Sequence, residues 1–281
     1  MDSTVITTEA SHKEARLSAW LHERRSVLVG YSGGVDSTYL AVIAREVLGR
    51  DGVLAVMGRS ASVPAEQSQR AEAIAMDHDI ELRVVDTAEL ADPRYAANPV
   101  NRCYFCKSVL WEVLTPMARN LGFQTVVDGT NADDVSGYRP GALAASEHGI
   151  ESPLALVGLT KAEIRMLSRQ RGLATWSQPS APCLASRIPY GHSVTAERLS
   201  QIECAEQALR ELGIGGDLRV RHHGDVARVE LDPDAIDEWL EPRNSRRLVE
   251  AVRASGFPRV TLDLRGFRSG SLNVLEGVVA A

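Results

Sequence analysis

The sequence predicts an α/β fold in which a parallel-sheet domain precedes a smaller α+β domain. Short apolar runs alternate with helical stretches through the first half of the chain, a pattern typical of βαβ units. After Pro179, Pro182 and Pro189 the pattern changes to a long amphipathic helix followed by a hairpin. A chain of 281 residues is also long for one core. We therefore expect one domain at 1–190 and another at 191–281.

The first domain is expected to hold four strands with helices between them. In chain order these are a helix at about 14–25, a strand at 26–31, a helix at 38–44, a strand at 53–57, a helix at about 65–77, and strands at 81–85 and 125–127. Each strand is a short apolar run, and each helix shows a longer mixed pattern. Ligands of parallel sheets bind at the carboxyl ends of the strands, so the segments after 31 and 127 are candidate binding loops.

The second domain is expected to be a small α+β unit. A long amphipathic helix occupies 195–212 and is ended by Gly213. Two alternating runs, 218–222 and 226–231, flank the turn His223-Gly224-Asp225 and predict a hairpin. A helix at about 245–254 and a strand at 260–264 complete this domain.

Composition narrows the class of protein. The net charge of −6 argues against broad nucleic-acid binding, which usually needs a basic surface. No apolar stretch is long enough to span a membrane, and residues 1–20 lack the apolar centre of a signal peptide. We therefore expect a cytoplasmic protein without membrane partners. The four cysteines of such a protein are better suited to metal, cluster or catalytic roles than to structural disulfides.

Two adjacent glycines occupy the first strand-to-helix turn, in Ser32-Gly33-Gly34-Val35-Asp36-Ser37. Glycines let backbone N–H groups approach an anion, and the helix N-terminus adds positive charge. The two serine hydroxyls can donate to phosphate, and Asp36 can hold Mg²⁺. The segment lacks the Gly-Lys-Ser/Thr ending of a Walker loop. It resembles the pyrophosphate loop of ATP pyrophosphatases, which cleave ATP to AMP and pyrophosphate. The alternative is an ordinary glycine turn.

Two further segments are candidates for the same site. Asp128-Gly129-Thr130-Asn131 follows the strand at 125–127, so Asp128, Gly129 and Asn131 join the predicted ATP-binding residues. Thr160 and Glu163 fit a capping box, which places Lys161 in the first turn of a helix.

Three cysteines form the second chemical feature. Cys103 and Cys106 precede a helical stretch, and Cys183 lies in a loop far along the sequence. Thiolates, the form that binds metals, are favoured at helix N-termini. A redox Cys-x-x-Cys, a zinc site completed by Cys204 or a histidine, and a [4Fe–4S] cluster with one open iron all remain open; the cluster fits three cysteines best. Cys204 lies mid-helix and is interpreted as a core or surface thiol.

Together these motifs resemble the LarE family of ATP-dependent sulfur transferases, which make the nickel-pincer nucleotide cofactor of lactate racemase. The resemblance covers nearly the whole chain. It is carried by Ser32–Ser37, 128–134, Tyr138-Arg139-Pro140-Gly141, Cys183 with 186–191, Arg219-Val220-Arg221 and 261–270. It implies a pyrophosphate-loop domain of the adenine nucleotide α-hydrolase type.

The resemblance implies a reaction on pyridinium-3,5-biscarboxylic acid mononucleotide. ATP would adenylate a substrate carboxylate, with Ser32–Ser37 holding phosphates and Asp36 the Mg²⁺. Lys161 and Arg187 are the candidates to neutralise pyrophosphate; alternatively they are a solvated helix lysine and a loop arginine. A sulfur nucleophile would then replace AMP and give a thiocarboxylate.

The resemblance leaves two sources of sulfur. In the sacrificial form of the family, the residue matching Cys183 gives up its own sulfur and becomes dehydroalanine. The presence of Cys103 and Cys106 resembles instead the three-cysteine variant, in which the matching residues hold a [4Fe–4S] cluster and a cluster-bound sulfide is transferred. We favour the cluster, reloaded by a sulfide or another sulfur donor.

The same resemblance points to the residues that bind substrate and metal ions. Ser186, Arg187, Arg219 and Arg221 are the candidate substrate-binding residues, and the two strand arginines alternate and so share a face. Glu206, Glu230 and Glu238 match carboxylates that bind metal ions in the family. We also expect a homo-oligomer.

Three functions from other classes compete with this interpretation. A tRNA thiolase also pairs a pyrophosphate loop with three cysteines, but it would usually carry a basic RNA-binding extension. An amide-forming ligase such as an NAD synthetase shares the loop and does not need the cysteines. A nucleotide-binding regulator without enzymatic activity is the third.

Overall fold

The computed structural model describes residues 3–136, 140–179 and 182–268. Its helices are α1 Ser3–Arg24, α2 Val35–Leu48, α3 Ala65–Asp77, α4 Pro93–Ala96, α5 Arg102–Leu121, α6 Pro140–Glu147, α7 Pro153–Leu156, α8 Lys161–Gln170, α9 Ala196–Glu211, α10 Ile236–Leu240 and α11 Pro242–Ala254. Its strands are β1 Val27–Gly30, β2 Val53–Arg59, β3 Leu82–Asp86, β4 Thr125–Val127, β5 Leu218–His223, β6 Val226–Leu231 and β7 Arg259–Leu262. Short 3₁₀ turns include Glu89–Ala91, Ala132–Ser136 and Leu184–Arg187.

The chain divides into two compact units. The first unit comprises Met1–Glu89 and Asn101–Ala181, and the second comprises Leu90–Val100 and Pro182–Ala281. The boundary near residue 182 differs from the 190/191 boundary expected from sequence, since residues 182–190 group with the second unit. Residues 90–100 group with the second unit, although the residues on both sides of them in the chain group with the first.

A parallel sheet organises the first unit. Among the described residues it has four strands in the order β3-β2-β1-β4, and every neighbouring pair is parallel. The central strand β1 and its neighbour β2 are almost fully buried apolar runs, as expected for a sheet covered on both faces, whereas the edge strand β3 is only partly buried. The α/β class with a parallel sheet, predicted from the alternation of strands and helices, is confirmed.

Alternate residues of each strand pack into different cores. Val27 and Val29 of β1 join the buried side chains of α1, α2, α3 and α8, whereas Leu28 packs with Trp111 of α5 and the alanines of α6. This follows from the period of two of a β-strand. Helices therefore cover both faces, and the polar loops that follow the strands are left at the edges of the sheet.

The second unit contains an antiparallel hairpin extended by a parallel strand. Within the described residues its sheet has the order β5-β6-β7, with β5 and β6 antiparallel and β7 parallel to β6. α9 packs on β5 and on α11, as expected from its buried Leu199, Ile202 and Leu209. The predicted hairpin is present, and Gly224 in its turn has a φ of +65°.

In the part of the chain that the structure describes, no helix combines the length and the apolar character needed to cross a bilayer. The cytoplasmic location and the homo-oligomer stay predictions from the sequence.

Candidate functional site

The glycine loop lies at the carboxyl end of β1 and runs directly into α2. Gly33 has a φ of +69°, and a Cβ at this position would lie 2.8 Å from the Cα of Ala71. Only glycine fits there without strain. The backbone N–H of Ser32 donates to Ser37 Oγ at 3.2 Å, and the two serine hydroxyls are 3.1 Å apart. The loop is therefore shaped by its own side chains before any ligand binds.

The N-terminus of α2 is suited to bind an anion. Gly34 is its N-cap and supplies no capping side chain. The helix begins at Val35, so Asp36 and Ser37 lie in its first turn rather than in the preceding loop, where the sequence placed them. The first N–H groups of a helix lack intrahelical partners and attract negative charge.

The loop that follows β4 closely approaches this helix end. A Cβ on Gly129 would lie 2.9 Å from the backbone N of Ser37, so only glycine permits this approach. Asp128 is buried and accepts hydrogen bonds from the Thr130 hydroxyl at 2.8 Å and from the Ser152 hydroxyl at 2.7 Å. The sequence predicted that these two loops meet at one edge of the sheet, and within the first unit they do.

Asp36 and Lys161 form an ion pair at this edge. The ammonium of Lys161, at the start of α8, donates to Asp36 Oδ2. Burial raises the pKa of Asp36 above its ordinary value, and the nearby Lys161 opposes that shift. The capping box predicted at Thr160 and Glu163 is present and fixes the start of α8. The interpretation of Lys161 as a solvated helix lysine therefore does not hold, because its side chain is half-buried and paired.

Further oxygen donors lie near Asp36. Asp36 Oδ1 is buried and makes no hydrogen bond with the described residues, although Asn131 is close enough to favour the ionised form. The charge of Asp134 also raises the pKa of Asp36. Mg²⁺ prefers one or two carboxylates together with phosphate oxygens. The buried carboxylate of Asp36, in the first turn of α2, fits that requirement.

Cys103 and Cys106 lie within the first two turns of α5, which begins at Arg102, whereas the sequence placed both cysteines just before the helix. Neither cysteine is part of a disulfide; Cys103 is exposed and Cys106 is half-buried. Residues three apart on a helix lie on one side of it, so both sulfurs can serve one ligand. α5 enters the first unit at the carboxyl edge of the sheet, because Leu110 packs beside Gly58 near the end of β2.

Cys183 belongs to the second unit, where it precedes the 3₁₀ turn Leu184–Arg187. Among residues 3–136, 140–179 and 182–268, no group of three or more histidine, cysteine, aspartate or glutamate side chains is placed to hold one metal ion. A [4Fe–4S] cluster held by Cys103, Cys106 and Cys183 therefore stays a prediction from the sequence. Cys204 is exposed on α9, in agreement with its interpretation as a surface thiol.

Arg187 organises the loop that carries Cys183. Its guanidinium is buried and donates to the carbonyls of Pro182 at 2.7 Å and Cys183 at 3.1 Å, and to Ser186 Oγ at 3.1 Å. Two further hydrogen bonds, of 2.9 and 3.1 Å, join it to Glu206 on α9. Arg187 thus shapes the backbone around Cys183 as well as carrying charge.

The two strand arginines lie beside this loop. Arg221 pairs with Glu230 at 2.7 Å and donates to the Ser186 carbonyl at 3.1 Å. Arg219 lies over the ring of Phe267 at 4.8 Å, and burial together with the charge of Arg187 lowers the pKa of Arg219. Both arginines are more than nine-tenths buried, so they do not form a solvated strand face. Positive charge is concentrated here.

The three candidate metal-binding glutamates have different surroundings. Glu206 accepts hydrogen bonds from Arg187 and from the Val220 backbone N–H at 3.0 Å. Glu230 is 1% exposed and binds both Arg221 and Arg228. Glu238 is exposed on α10. In this structure the first two carboxylates orient arginines, and a metal role for any of the three stays a prediction.

Comparison with known proteins places these features in a family. The NAD synthase family model matches residues 14–97, which include the glycine loop. An NH₃-dependent NAD⁺ synthetase of Methanosarcina mazei is 41% identical over 76 residues, covering 27% of this chain and 30% of the synthetase. A pyridinium-3,5-bisthiocarboxylic acid mononucleotide synthase of Lactiplantibacillus plantarum, a LarE protein, is 36% identical over 93% of this chain and 94% of its own length. The chain belongs to the LarE family.

The resemblance inferred from the motifs is thereby confirmed. A second relative, an uncharacterised protein of Synechocystis sp., is 44% identical over 93% of this chain and 97% of its own length. Several residues of the LarE-like motifs, namely Tyr138, Arg139, Ser269 and Gly270, lie outside the described residues.

Some residues of the site were not found from the sequence. Ser152 orients Asp128 but has no distinctive spacing, and Asp134, whose charge acts on Asp36, was noted only as the last residue of the motif 128–134. Asn98 binds three carbonyls of the Cys183 loop region. An asparagine directly before Pro99 was the available signal for a special backbone position, since asparagine tolerates positive φ.

Proposed function

We propose that this protein is an ATP-dependent sulfur transferase that converts a carboxylate of pyridinium-3,5-biscarboxylic acid mononucleotide into a thiocarboxylate. The observation that carries the proposal is the 36% identity, over nearly the full length of both chains, with a synthase of the corresponding bisthiocarboxylic acid mononucleotide. The product would be a precursor of the nickel-pincer cofactor of lactate racemase.

The first unit would activate the carboxylate with ATP. A substrate carboxylate oxygen attacks the α-phosphorus, the bond to the β-phosphate oxygen breaks, and pyrophosphate leaves with the electron pair. The α2 N-terminus and the serine hydroxyls would bind the phosphates. Asp36 would hold Mg²⁺, which neutralises phosphate charge.

Lys161 would change partners during this step. Without nucleotide, its ammonium neutralises Asp36. When Asp36 binds Mg²⁺, Lys161 is free to contact the departing pyrophosphate. This exchange uses one lysine for two purposes, since it keeps a buried carboxylate compensated before ATP arrives and stabilises negative charge afterwards.

The second unit would bind the mononucleotide. Arg219 is the candidate for its phosphate, because it is buried on β5 next to the guanidinium groups of Arg187 and Arg221, whose charges act on it. Guanidinium groups bind phosphate and carboxylate in a bidentate manner. Ser186 lies between Cys183 and Arg187 and offers a hydroxyl to the substrate.

Sulfur transfer would complete the reaction. A sulfur nucleophile attacks the acyl carbon, and AMP leaves with the electrons of the carbon–oxygen bond. We propose that Cys103, Cys106 and Cys183 hold a [4Fe–4S] cluster, which supplies sulfur for transfer when it is bound. Release of sulfur from Cys183 itself, leaving dehydroalanine, is the second candidate.

ATP use is tested by measuring AMP and pyrophosphate with the dicarboxylate mononucleotide as substrate. Asp36→Ala should abolish substrate-dependent pyrophosphate release in a protein that stays folded. Asp77→Ala, an exposed aspartate at the end of α3, is the matched control and should retain activity. Release of ADP and phosphate by the wild type would reject the proposal.

The sulfur source is tested by anaerobic purification, iron and sulfide analysis, and mass spectrometry after turnover. Replacing Cys103, Cys106 or Cys183 by alanine should remove iron and activity together, whereas Cys204→Ala should remove neither. Intact Cys183 after many turnovers supports the cluster. Dehydroalanine at this position after one turnover, in iron-free protein, establishes the sacrificial route instead.

A further inference from the structure

Asn98 lies in the segment 90–100 and occupies an unusual position. The residue is 0% exposed and has a φ of +53°, in the left-handed region where asparagine is tolerated better than most residues. It belongs to the second unit, as do all its partners described below.

The side-chain amide of Asn98 meets three backbone carbonyls. Nδ2 lies 3.2 Å from the carbonyl oxygen of Ile188, 2.7 Å from that of Pro189 and 3.0 Å from that of His192. An amide nitrogen has two hydrogens, so at least one bond is shared. The carbonyls belong to a segment without helix or strand, between Arg187 and α9.

The backbone of the same segment reinforces this contact. The N–H of Gly191 donates to the Asn98 carbonyl at 2.9 Å, and the N–H of Val194 donates to the Ala96 carbonyl at 2.8 Å. The segment 90–100 is therefore hydrogen-bonded to residues 188–194 through its backbone as well as through the Asn98 side chain. Because the site is buried, carbonyls that lost the amide could not be compensated by water without local opening.

The Cys183 loop is thus fixed from two directions. At its start, Arg187 binds the carbonyls of Pro182 and Cys183 and is held by Glu206. At its end, Asn98 fixes the residues immediately after Arg187. A shift at Ile188 or Pro189 would be transmitted directly to Arg187, since they are consecutive in the chain.

We propose that Asn98 is a positioning residue for sulfur transfer, whose amide holds residues 188–192 so that Cys183, Ser186 and Arg187 are presented in one conformation. The inference rests on the proposed function, because it takes that loop to be part of the reaction site. Asn98 does not touch the reacting atoms; it acts through the backbone that carries them.

The test compares Asn98→Asp with Asn98→Gly in the full chain. Aspartate keeps the size and the tolerance of positive φ, but it replaces a donor by an oxygen that faces three carbonyl oxygens. Glycine keeps the backbone conformation and removes only the side chain, so it remains informative if the aspartate variant does not fold. Asn244→Asp is the matched control, because Asn244 makes one exposed hydrogen bond to a carbonyl at 2.9 Å in the same unit.

The first measurement is the rate of alkylation of Cys183 by iodoacetamide, read by mass spectrometry relative to exposed Cys204. Both Asn98 variants should change this ratio by roughly tenfold or more and speed amide exchange in 182–194, as expected when buried hydrogen bonds that close a loop are lost. Asn244→Asp should change neither. An unchanged ratio and native exchange in both Asn98 variants would overturn the proposal.

The second measurement separates positioning from general destabilisation. Asn98→Gly should lower kcat for thiocarboxylate formation while the KM for ATP stays unchanged, because the loop changes and the phosphate-binding loop does not. If the Cys183 loop changes and kcat is unaffected, Asn98 positions the loop but the loop is not part of the reaction, which contradicts the proposed function and the catalytic part of this inference. If pyrophosphate release is absent in the wild type, only the proposed function fails.

Discussion

Asp36 combines a buried position with a charge that the proposed magnesium site requires. Burial raises the pKa of this carboxyl, and Lys161 compensates only in part. Buried carboxylates of this kind are a feature of binding sites, where the missing partner is supplied by the ligand. Burial of the ionised Asp36 carboxylate therefore lowers the free energy of unfolding of the ligand-free protein. The same carboxylate is the proposed ligand of a cation.

The pH dependence of stability should reveal this destabilisation. Since the pKa of Asp36 is higher in the folded than in the unfolded state, ionisation destabilises the fold, and stability is lost as pH rises through the folded pKa. Asp36→Asn should therefore be more stable than the wild type to urea at pH 7. This advantage should shrink as the pH falls towards the ordinary value of 3.8.

Asp79→Asn is the control with the opposite sign. A hydrogen bond from Arg45 lowers the pKa of Asp79, so its ionised form stabilises the fold and this contribution is lost as pH falls. The asparagine variant should be less stable than the wild type at pH 7 and equal to it in acid. Equal pH profiles for Asp36→Asn and the wild type would contradict the explanation given for Asp36.

Glu206 should act as a structural partner of Arg187. Glu206→Gln leaves a buried guanidinium without its counter-charge and should lower the free energy of unfolding by about 2 kcal/mol or more. Glu238→Gln, on the exposed surface of α10, should have little effect. Urea unfolding with and without EDTA provides the measurement. If EDTA destabilises the wild type but not Glu206→Gln, Glu206 is a metal ligand.

At the scale of elements, the strands were predicted within one or two residues, because those of the first unit are mainly apolar runs and those of the hairpin alternate apolar and polar residues. Helix α2 begins at Val35, three residues earlier than predicted. Its N-cap is Gly34, which has no capping side chain that could mark the helix start in the sequence. The short helices α6 and α7 were not predicted: each begins with a proline, a signal for a helix start, but neither is long enough to show a clear helical period. The burial of Arg219 and Arg221 could not be predicted from β5 alone, because the residues they contact lie on other elements.

The turn between β1 and α2 gives a test of backbone chemistry. Gly33 and Gly49 both have positive φ, of +69° and +75°, but only Gly33 is packed against another residue. Gly49→Ala should cost about 1 kcal/mol from the left-handed backbone alone. Gly33→Ala adds the clash with Ala71 and should cost roughly 2–5 kcal/mol. Thermal unfolding checks the order, and equal losses would mean that the loop can move away from Ala71.

At the scale of the whole molecule, the second unit is assembled from two separate parts of the chain. The sequence did not indicate this, because the contacts of 90–100 are with residues about a hundred positions away. Tyr95 is 1% exposed and Asn98 is fully buried, so this short segment completes the core of the second unit.

Fragments of the chain can test that assembly. The fragment 191–281, cut at the boundary expected from sequence, lacks both 90–100 and 182–190 and should not unfold cooperatively. A fragment in which 90–100 is joined through a flexible linker to 182–281 should regain a cooperative transition. Circular dichroism during urea unfolding distinguishes them. Cooperative unfolding of 191–281 alone would show that segment 90–100 is dispensable.

Because residues 90–100 lie within the sequence of the first unit but pack in the second, their packing is delayed in the nascent chain. Once Val100 has left the ribosome, about 80 further residues must be added before Pro182 leaves it as well. At roughly 5–20 residues per second this takes about 4 to 16 seconds. Throughout that time Tyr95 and its neighbours have no completed core to enter, while the strands on either side can already pair. During synthesis, the segment that later holds the cysteine loop is therefore unpacked and open to chaperones and proteases.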